Sequence, residues 1–196
     1  GFAIASPGTT DADVEESVNW EFGGRYSRGE FELEAIAYFN DYSNLLGTCT
    51  ASSGGGCTVG DQFNGGEVDV QGLEVTASWD AAAVLDTELS IPVSLVYTLT
   101  DAEFQTSFES DYEPWGDVVA GDELPYIADQ QLTLSAGLEA DRWGASLTGN
   151  YVSESRARAG QGSIPERERI EARWVADMAV WVDLTDRIRV RAKADN

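Results

Sequence analysis

The sequence predicts an all-β protein, an antiparallel up-and-down transmembrane β-barrel. Three observations carry that reading. Apolar and polar residues alternate with a period of two in eight separate stretches. The connections between those stretches are short and long strictly in turn. Aromatic residues lie at or near the ends of the stretches, where membrane interfacial belts are found. Successive side chains of a strand point to opposite faces, so this pattern gives each stretch one apolar face, which a helix could not do.

The first stretch carries Val18, Trp20, Phe22, Gly24 and Tyr26 on one phase, with Asn19, Glu21, Gly23 and Arg25 between them. The second carries Phe31, Leu33, Ala35, Ala37 and Phe39 against Glu32, Glu34, Ile36 and Tyr38. Leu73, Val75, Ala77 and Trp79 form the third, and Val93, Leu95, Tyr97 and Leu99 the fourth. Leu132, Leu134, Ala136 and Leu138 make the fifth, and Trp143, Ala145, Leu147, Gly149 and Tyr151 the sixth. The seventh holds Trp174, Ala176, Met178, Val180 and Val182, with Val175 and Trp181 blurring its polar phase. Ile188, Val190, Ala192 and Ala194 alternate in the eighth with Arg189, Arg191, Lys193 and Asp195.

Four connections are turn-like, at 27–30, 80–88, 140–142 and 185–187; three are long and polar, at 40–66, 105–129 and 153–172. Outer-membrane barrels have this asymmetry, with short periplasmic turns and long outer loops. A soluble sandwich has no reason for it. Charge separates the faces. Glu74, Glu139, Asp177, Arg189, Arg191 and Lys193 all fall on the polar phase. They suit a water-filled or plugged interior rather than a packed one. On this reading Val190→Arg should disrupt insertion and Arg189→Gln should not.

Composition narrows the function. The 196 residues include 12 Lys+Arg against 35 Asp+Glu, a formal net charge of −23. That charge excludes a free-standing nucleic-acid binder, which needs a basic face. There is no His, hence no imidazole general base or ligand, and two Cys cannot build a structural zinc site. With 42% hydrophobic residues, six Trp, seven Tyr and seven Phe, ordinary disorder is excluded. No apolar run approaches the ~20 residues of a membrane helix. Residues 1–7 lack the charged start and apolar middle of a signal peptide. Mean hydropathy is −0.26, a value that alternation and polar loops can produce while a lipid-facing band is present.

The first strand follows a polar stretch, 6–17, that reads as part of an outer loop. Counting strand directions from there, the eighth finishes on the outer side, at Asp195-Asn196. A complete eight-stranded barrel would begin and end together on the inner side. The expectation is therefore a piece of a larger barrel.

Several phrases resemble those of TonB-dependent outer-membrane receptors. Glu15-Glu16-Ser17-Val18-Asn19-Trp20-Glu21-Phe22-Gly23-Gly24-Arg25-Tyr26 resembles their "PE-S-NYELG-RY" phrase. Val68-Asp69-Val70-Gln71-Gly72-Leu73-Glu74 resembles their "V-G-E" strand start. Arg191-Ala192-Lys193-Ala194-Asp195-Asn196 resembles the approach to their "NLFD" phrase. Tyr97-Thr98-Leu99-Thr100-Asp101-Ala102-Glu103-Phe104 and Gly121-Asp122-Glu123-Leu124-Pro125-Tyr126 resemble the ferric dicitrate receptor branch.

The resemblance runs from Glu15 to Asn196 and implies a barrel of about 22 strands with a plugged lumen. Residues 1–196 would then be part of one barrel domain, with strands fourteen to twenty-one present and the plug and final strand absent. It implies a Gram-negative outer membrane as the location and uptake of an iron chelate, ferric citrate or a siderophore, as the function. Implied partners are outer-membrane lipid and lipopolysaccharide, the chelate, and the TonB complex through the missing plug. No cofactor is implied, and no family binding residue matches a position here.

The loops supply the remaining candidates. Cys49 and Cys57 read as a local disulfide of an oxidising compartment, worth about 2–3 kcal/mol on the chain-entropy model. The loop 105–129 is acidic, with Glu109, Asp111, Glu113, Asp117, Asp122, Glu123 and Asp129, and reads as a solvated outer loop rather than a cation site. The loop 153–172 holds Arg156, Arg158, Arg167 and Arg169, with Arg173 just beyond. Guanidinium groups bind carboxylates bidentately, so these four are candidates for contact with an anionic iron chelate. They would equally suit salt bridges to the acidic loop, or lipopolysaccharide phosphates. The alternative functions are a porin-like or small barrel without TonB coupling and a soluble secreted β-rich binding module. An enzyme is the weakest reading, because the acid pairs Glu32/Glu34 and Glu166/Glu168 lie in no recognisable site.

Overall fold

The computed structural model describes residues 14–51, 57–85 and 87–196. The start of the polar N-terminal stretch, the glycine run before Cys57 and Asp86 of the second turn lie outside the described residues. In chain order the strands are β1 (Glu16–Arg28), β2 (Phe31–Ser43), β3 (Leu46–Thr48), β4 (Gln62–Asn64) and β5 (Val68–Asp80). Then come β6 (Pro92–Phe104), β7 (Phe108–Glu109), β8 (Asp117–Val118), β9 (Gln130–Ala140) and β10 (Trp143–Val152). The last are β11 (Ser155–Arg156), β12 (Arg169–Ile170), β13 (Arg173–Thr185) and β14 (Ile188–Asp195). Among the described residues, helix is confined to a single turn, α1 (Ala82–Leu85), and a 3-10 turn at Glu166–Glu168. No helix among the described residues is long and apolar enough to cross a membrane, which says nothing about crossing by strands.

Eight long strands form one antiparallel sheet in the order β1-β2-β5-β6-β9-β10-β13-β14. Each lies beside its nearest long neighbours in sequence, so the topology is up-and-down. The register carries one phase across the whole sheet. Trp20 faces Phe39, Ala37 faces Leu73, and Leu73 faces Leu99. Tyr97 faces Leu132, Leu132 faces Tyr151, Tyr151 faces Trp174, and Val182 faces Val190. Every apolar phase of the eight predicted stretches therefore falls on one surface. No second large sheet covers it among the described residues. Phe22 is 85% exposed and Trp20 70%. A continuous apolar surface of this extent marks a surface built for something other than water.

Aromatics bracket this surface. Phe31 lies opposite Trp79 near the short turns, and Tyr26 contacts Phe31 with ring centroids 6.3 Å apart. Near the loops, Tyr151 and Trp174 pack with centroids 5.0 Å apart. Phe31 to Phe39 and Trp143 to Tyr151 are each eight residue steps apart, about 26 Å along a strand. At the ~40° tilt of barrel strands that length rises about 20 Å, most of an apolar band of about 25 Å.

Trp181, which blurs the sequence pattern, belongs to the opposite, polar face, where it lies across from Gly144 and Arg191. Asp177, Lys193, Arg189 and Glu139 share that face by register. One expectation needs correction: Glu16 and Ser17 are strand rather than loop. The long connections, read from the sequence only as polar, carry structure of their own. Each folds a two-stranded hairpin: β3–β4, β7–β8 and β11–β12. The buried apolar cluster also lies at the loop rim rather than in the middle of the sheet. Val68, Ala102 and Phe104, at the loop ends of β5 and β6, pack with Trp115, Val118 and Leu124 from the second loop.

Candidate functional site

The three loops on one rim of the sheet form a continuous cap. Glycines set its interior. A Cβ on Gly47 would sit 2.7 Å from the Trp115 ring, and one on Gly65 2.8 Å from it. The second loop can therefore seat its indole against the first only because both positions lack a side chain. Around that indole lie Phe104, Phe108 and Tyr112, each edge-on, with centroids 5.1–5.9 Å away. Tyr112 also stacks on Phe63 of β4. Edge-on aromatic pairs of this kind contribute ~0.5–1.5 kcal/mol each beyond area burial.

Cys49 and Cys57 are joined as a disulfide, with Cα atoms 6.2 Å apart. Cys49 is buried, and its amide donates to the Asp61 carbonyl while its carbonyl accepts from Gly60. The bridge therefore closes the far end of the β3–β4 hairpin.

The arginines divide sharply. Arg156 is 3% exposed; its Nε donates to Glu123 Oε2 at 2.7 Å and its Nη2 to the Gly162 carbonyl at 3.0 Å. Arg158 pairs with Glu113 and is 45% exposed. Arg167 is 85% exposed and reaches its neighbour Glu168. Arg169 is about one-third exposed, donates to the Ile164 carbonyl, and lies 3.7 Å from Glu154. The structure thus brings Arg156 and Arg158 onto the acidic loop. It leaves Arg167 and Arg169 on the outside of their own loop.

Beside Arg156 is a small acidic hollow of about 190 Å³, lined by Asp101, Glu123 and Asp129 with Leu99, Leu124 and Ile127. Partial desolvation pushes the Asp129 carboxyl above its usual range. The negative charges of Glu123, Asp101 and Glu154 add to that, and Arg156 opposes it. Among the described residues no group of three or more carboxylates is arranged to hold a metal ion. Tyr126 adjoins the hollow in a left-handed conformation, φ 66°, with its side chain exposed. Bulky residues avoid that region unless surrounding bonds impose it.

On the polar face of the sheet, the Tyr38 hydroxyl lies 2.9 Å from Thr100 Oγ1, spanning β5 between them. Arg189 makes two bonds to Asp183, at 2.6 and 2.8 Å, and lies 3.9 Å over the Trp181 ring. Nothing in the sequence pattern marked Trp115, Gly47 and Gly65 as cap-forming residues, whereas Glu123 belongs to the acidic loop with which the arginines were able to pair. The available signal was a tryptophan inside an acidic loop, since a bulky apolar ring in such a setting needs a pocket.

A family model described as TonB dependent receptor-like, β-barrel, matches residues 1–196. No curated protein matches the sequence. Among solved structures, the unliganded ferric citrate transporter FecA superposes with a TM-score of 0.64 at 19% identity, over 93% of this chain and 26% of that one. A ferric enterobactin receptor of Pseudomonas aeruginosa, PfeA, in complex with enterobactin gives 0.59 at 20% identity, over 93% and 26%. The copper transporter OprC gives 0.63 at 15% identity, over 95% and 26%. The chain spans about a quarter of the length of these structures. At these identities the likeness is one of fold.

Proposed function

Since the chain belongs to the TonB-dependent receptor-like β-barrel family, we propose that it forms wall and outer loops of an outer-membrane receptor that takes up an anionic iron chelate. The family and the solved neighbours are receptors and transporters, not enzymes. The observation that carries the reading is the pairing of an exposed apolar surface, in register over eight strands, with a folded cap on one rim only. Lipid is the solvent that suits the first, and the outer medium suits the second. Residues 1–196 are then part of one barrel domain, in the outer membrane of a Gram-negative bacterium, touching lipid and lipopolysaccharide. A plug elsewhere in the receptor couples to TonB.

The chelate is ferric citrate or a siderophore, and the resemblance of residues 97–104 and 121–126 to dicitrate receptors favours citrate. Arg158, Arg167 and Arg169 present guanidinium groups on the cap and contact the chelate's carboxylates. Arg156 serves the site from behind, through Glu123. The test is uptake of radiolabelled ferric citrate by cells carrying the full-length receptor. Replacing Arg158, Arg167 and Arg169 together with Ala should lower uptake at least tenfold with the receptor still in the outer membrane. Unchanged uptake would overturn the assignment.

A further inference from the structure

We infer that the second and third outer loops are one mechanical body, pinned by Arg156, and that they open and close together rather than as separate flaps. The bonds across the junction are numerous and of different kinds. Arg156 Nε reaches Glu123, and the Glu123 amide in turn donates to the Gly160 carbonyl at 3.0 Å. The Tyr126 amide donates to the Arg156 carbonyl at 2.8 Å, and the Ala159 amide to the Pro114 carbonyl at 2.9 Å. Gln161 Nε2 donates to the Ala120 carbonyl, and Arg158 pairs with Glu113.

Burial makes the junction cooperative. The Arg156 guanidinium is enclosed, and a Cβ on Gly160 would already lie 3.0 Å from its Nη1. Among the described residues no buried side-chain polar atom is left without a partner. Parting the loops would uncover a charge and break its bond to Glu123, leaving it only the Gly162 carbonyl of its own loop, and the backbone bonds across the junction would be lost with it. A partial opening gains nothing until all of them break. Tyr126 adds a bias. Its left-handed backbone is held by the bond to Arg156, so release of the pin also lets that residue relax.

Hydrogen exchange with mass spectrometry on the full-length receptor in detergent tests this without any ligand. In the wild type, peptides covering 119–127 and 156–162 should open with one common protection factor. Arg156→Met should speed exchange in both by the same factor, at least tenfold. Arg156→Lys should restore part of the protection, and peptides 130–140 and 143–152 serve as unchanged folding controls. Should Arg156→Met fail to assemble, Glu123→Ala acts from the other loop and must speed 156–162 as much as its own segment. Acceleration confined to the mutated loop, or wild-type protection factors differing tenfold between the two, would overturn the inference.

Discussion

Tyr38 lies against Gly72 so closely that a Cβ on the glycine would sit 2.5 Å from the tyrosine hydroxyl oxygen and 2.6 Å from Cζ. The same Cβ would lie 2.1 Å from the Leu99 carbonyl. Through this contact the ring crosses β5 and bonds Thr100 on β6. Trp181 repeats the arrangement over Gly144, where a Cβ would meet its Nε1 at 2.4 Å. Gly72→Ala should therefore cost about 1–3 kcal/mol, the usual range for overpacking. Tyr38→Phe should cost about 1 kcal/mol, the share of one hydrogen bond. Both are read from the temperature at which the folded barrel converts to the unfolded band on gels, with Gly72→Ala the lower. Equal temperatures for Gly72→Ala and wild type would show that the glycine is not needed there.

The sheet's two faces should answer differently to charge. Leu147 lies midway along β10, exposed on the apolar face between Ala136 and Met178. An arginine there would meet the bilayer near its centre, at a cost of roughly 2–4 kcal/mol, and less at Val190, close to a turn. Arg189→Gln removes an exposed ion pair with Asp183, worth at most about 1 kcal/mol. Assembly in outer-membrane fractions should thus fall in the order Arg189→Gln, Val190→Arg, Leu147→Arg. Normal assembly of Leu147→Arg would reverse the assignment of the faces.

The Cys49–Cys57 bridge encloses a short loop, for which chain entropy gives about 2–3 kcal/mol. Protein isolated without reductant should take up no thiol-alkylating reagent by mass spectrometry. The Cys49→Ser/Cys57→Ser variant should lose proteolytic protection over 46–64 while the sheet stays intact. Two alkylated cysteines in fresh outer membranes would contradict the bridge.

Asp129 gives the cap a pH dependence of definite sign. Its folded value lies above the unfolded one, so the folded cap binds the proton more tightly. Below the ordinary carboxylate range both states are protonated and no penalty exists. As pH rises through that range and on through the raised folded value, the folded cap loses relative stability. Protection over 119–130, corrected for intrinsic exchange, should fall across that window in the wild type. Asp129→Asn should flatten the curve. An identical slope in the variant would mean another group is responsible.

How much was legible in the sequence depended on the range of the interaction. Facing is decided residue by residue, because a strand side chain meets either apolar surroundings or water, with a period of two. All eight apolar phases could be read from that rule alone, and the up-and-down order from the alternation of short with long connections. The polar-phase residues Arg189, Lys193 and Asp177 were legible for the same reason.

Where two segments distant in sequence choose each other, the rule is silent. Arg156 and Arg158 are the same residue type on the same phase of one loop. One is 3% exposed and the other 45%. Their difference is set by Glu123, Gly160 and Gly162 closing over one guanidinium and not the other. Nothing in the alternation singled out Gly72 and Gly144, and Trp181 blurred it, until cross-strand register put each glycine beneath a ring. The sequence by itself determined which way each strand faces, since local solvation decides that. Only the tertiary structure decided which arginine is a pin and which glycines are sockets, since those roles depend on the partners that distant segments bring.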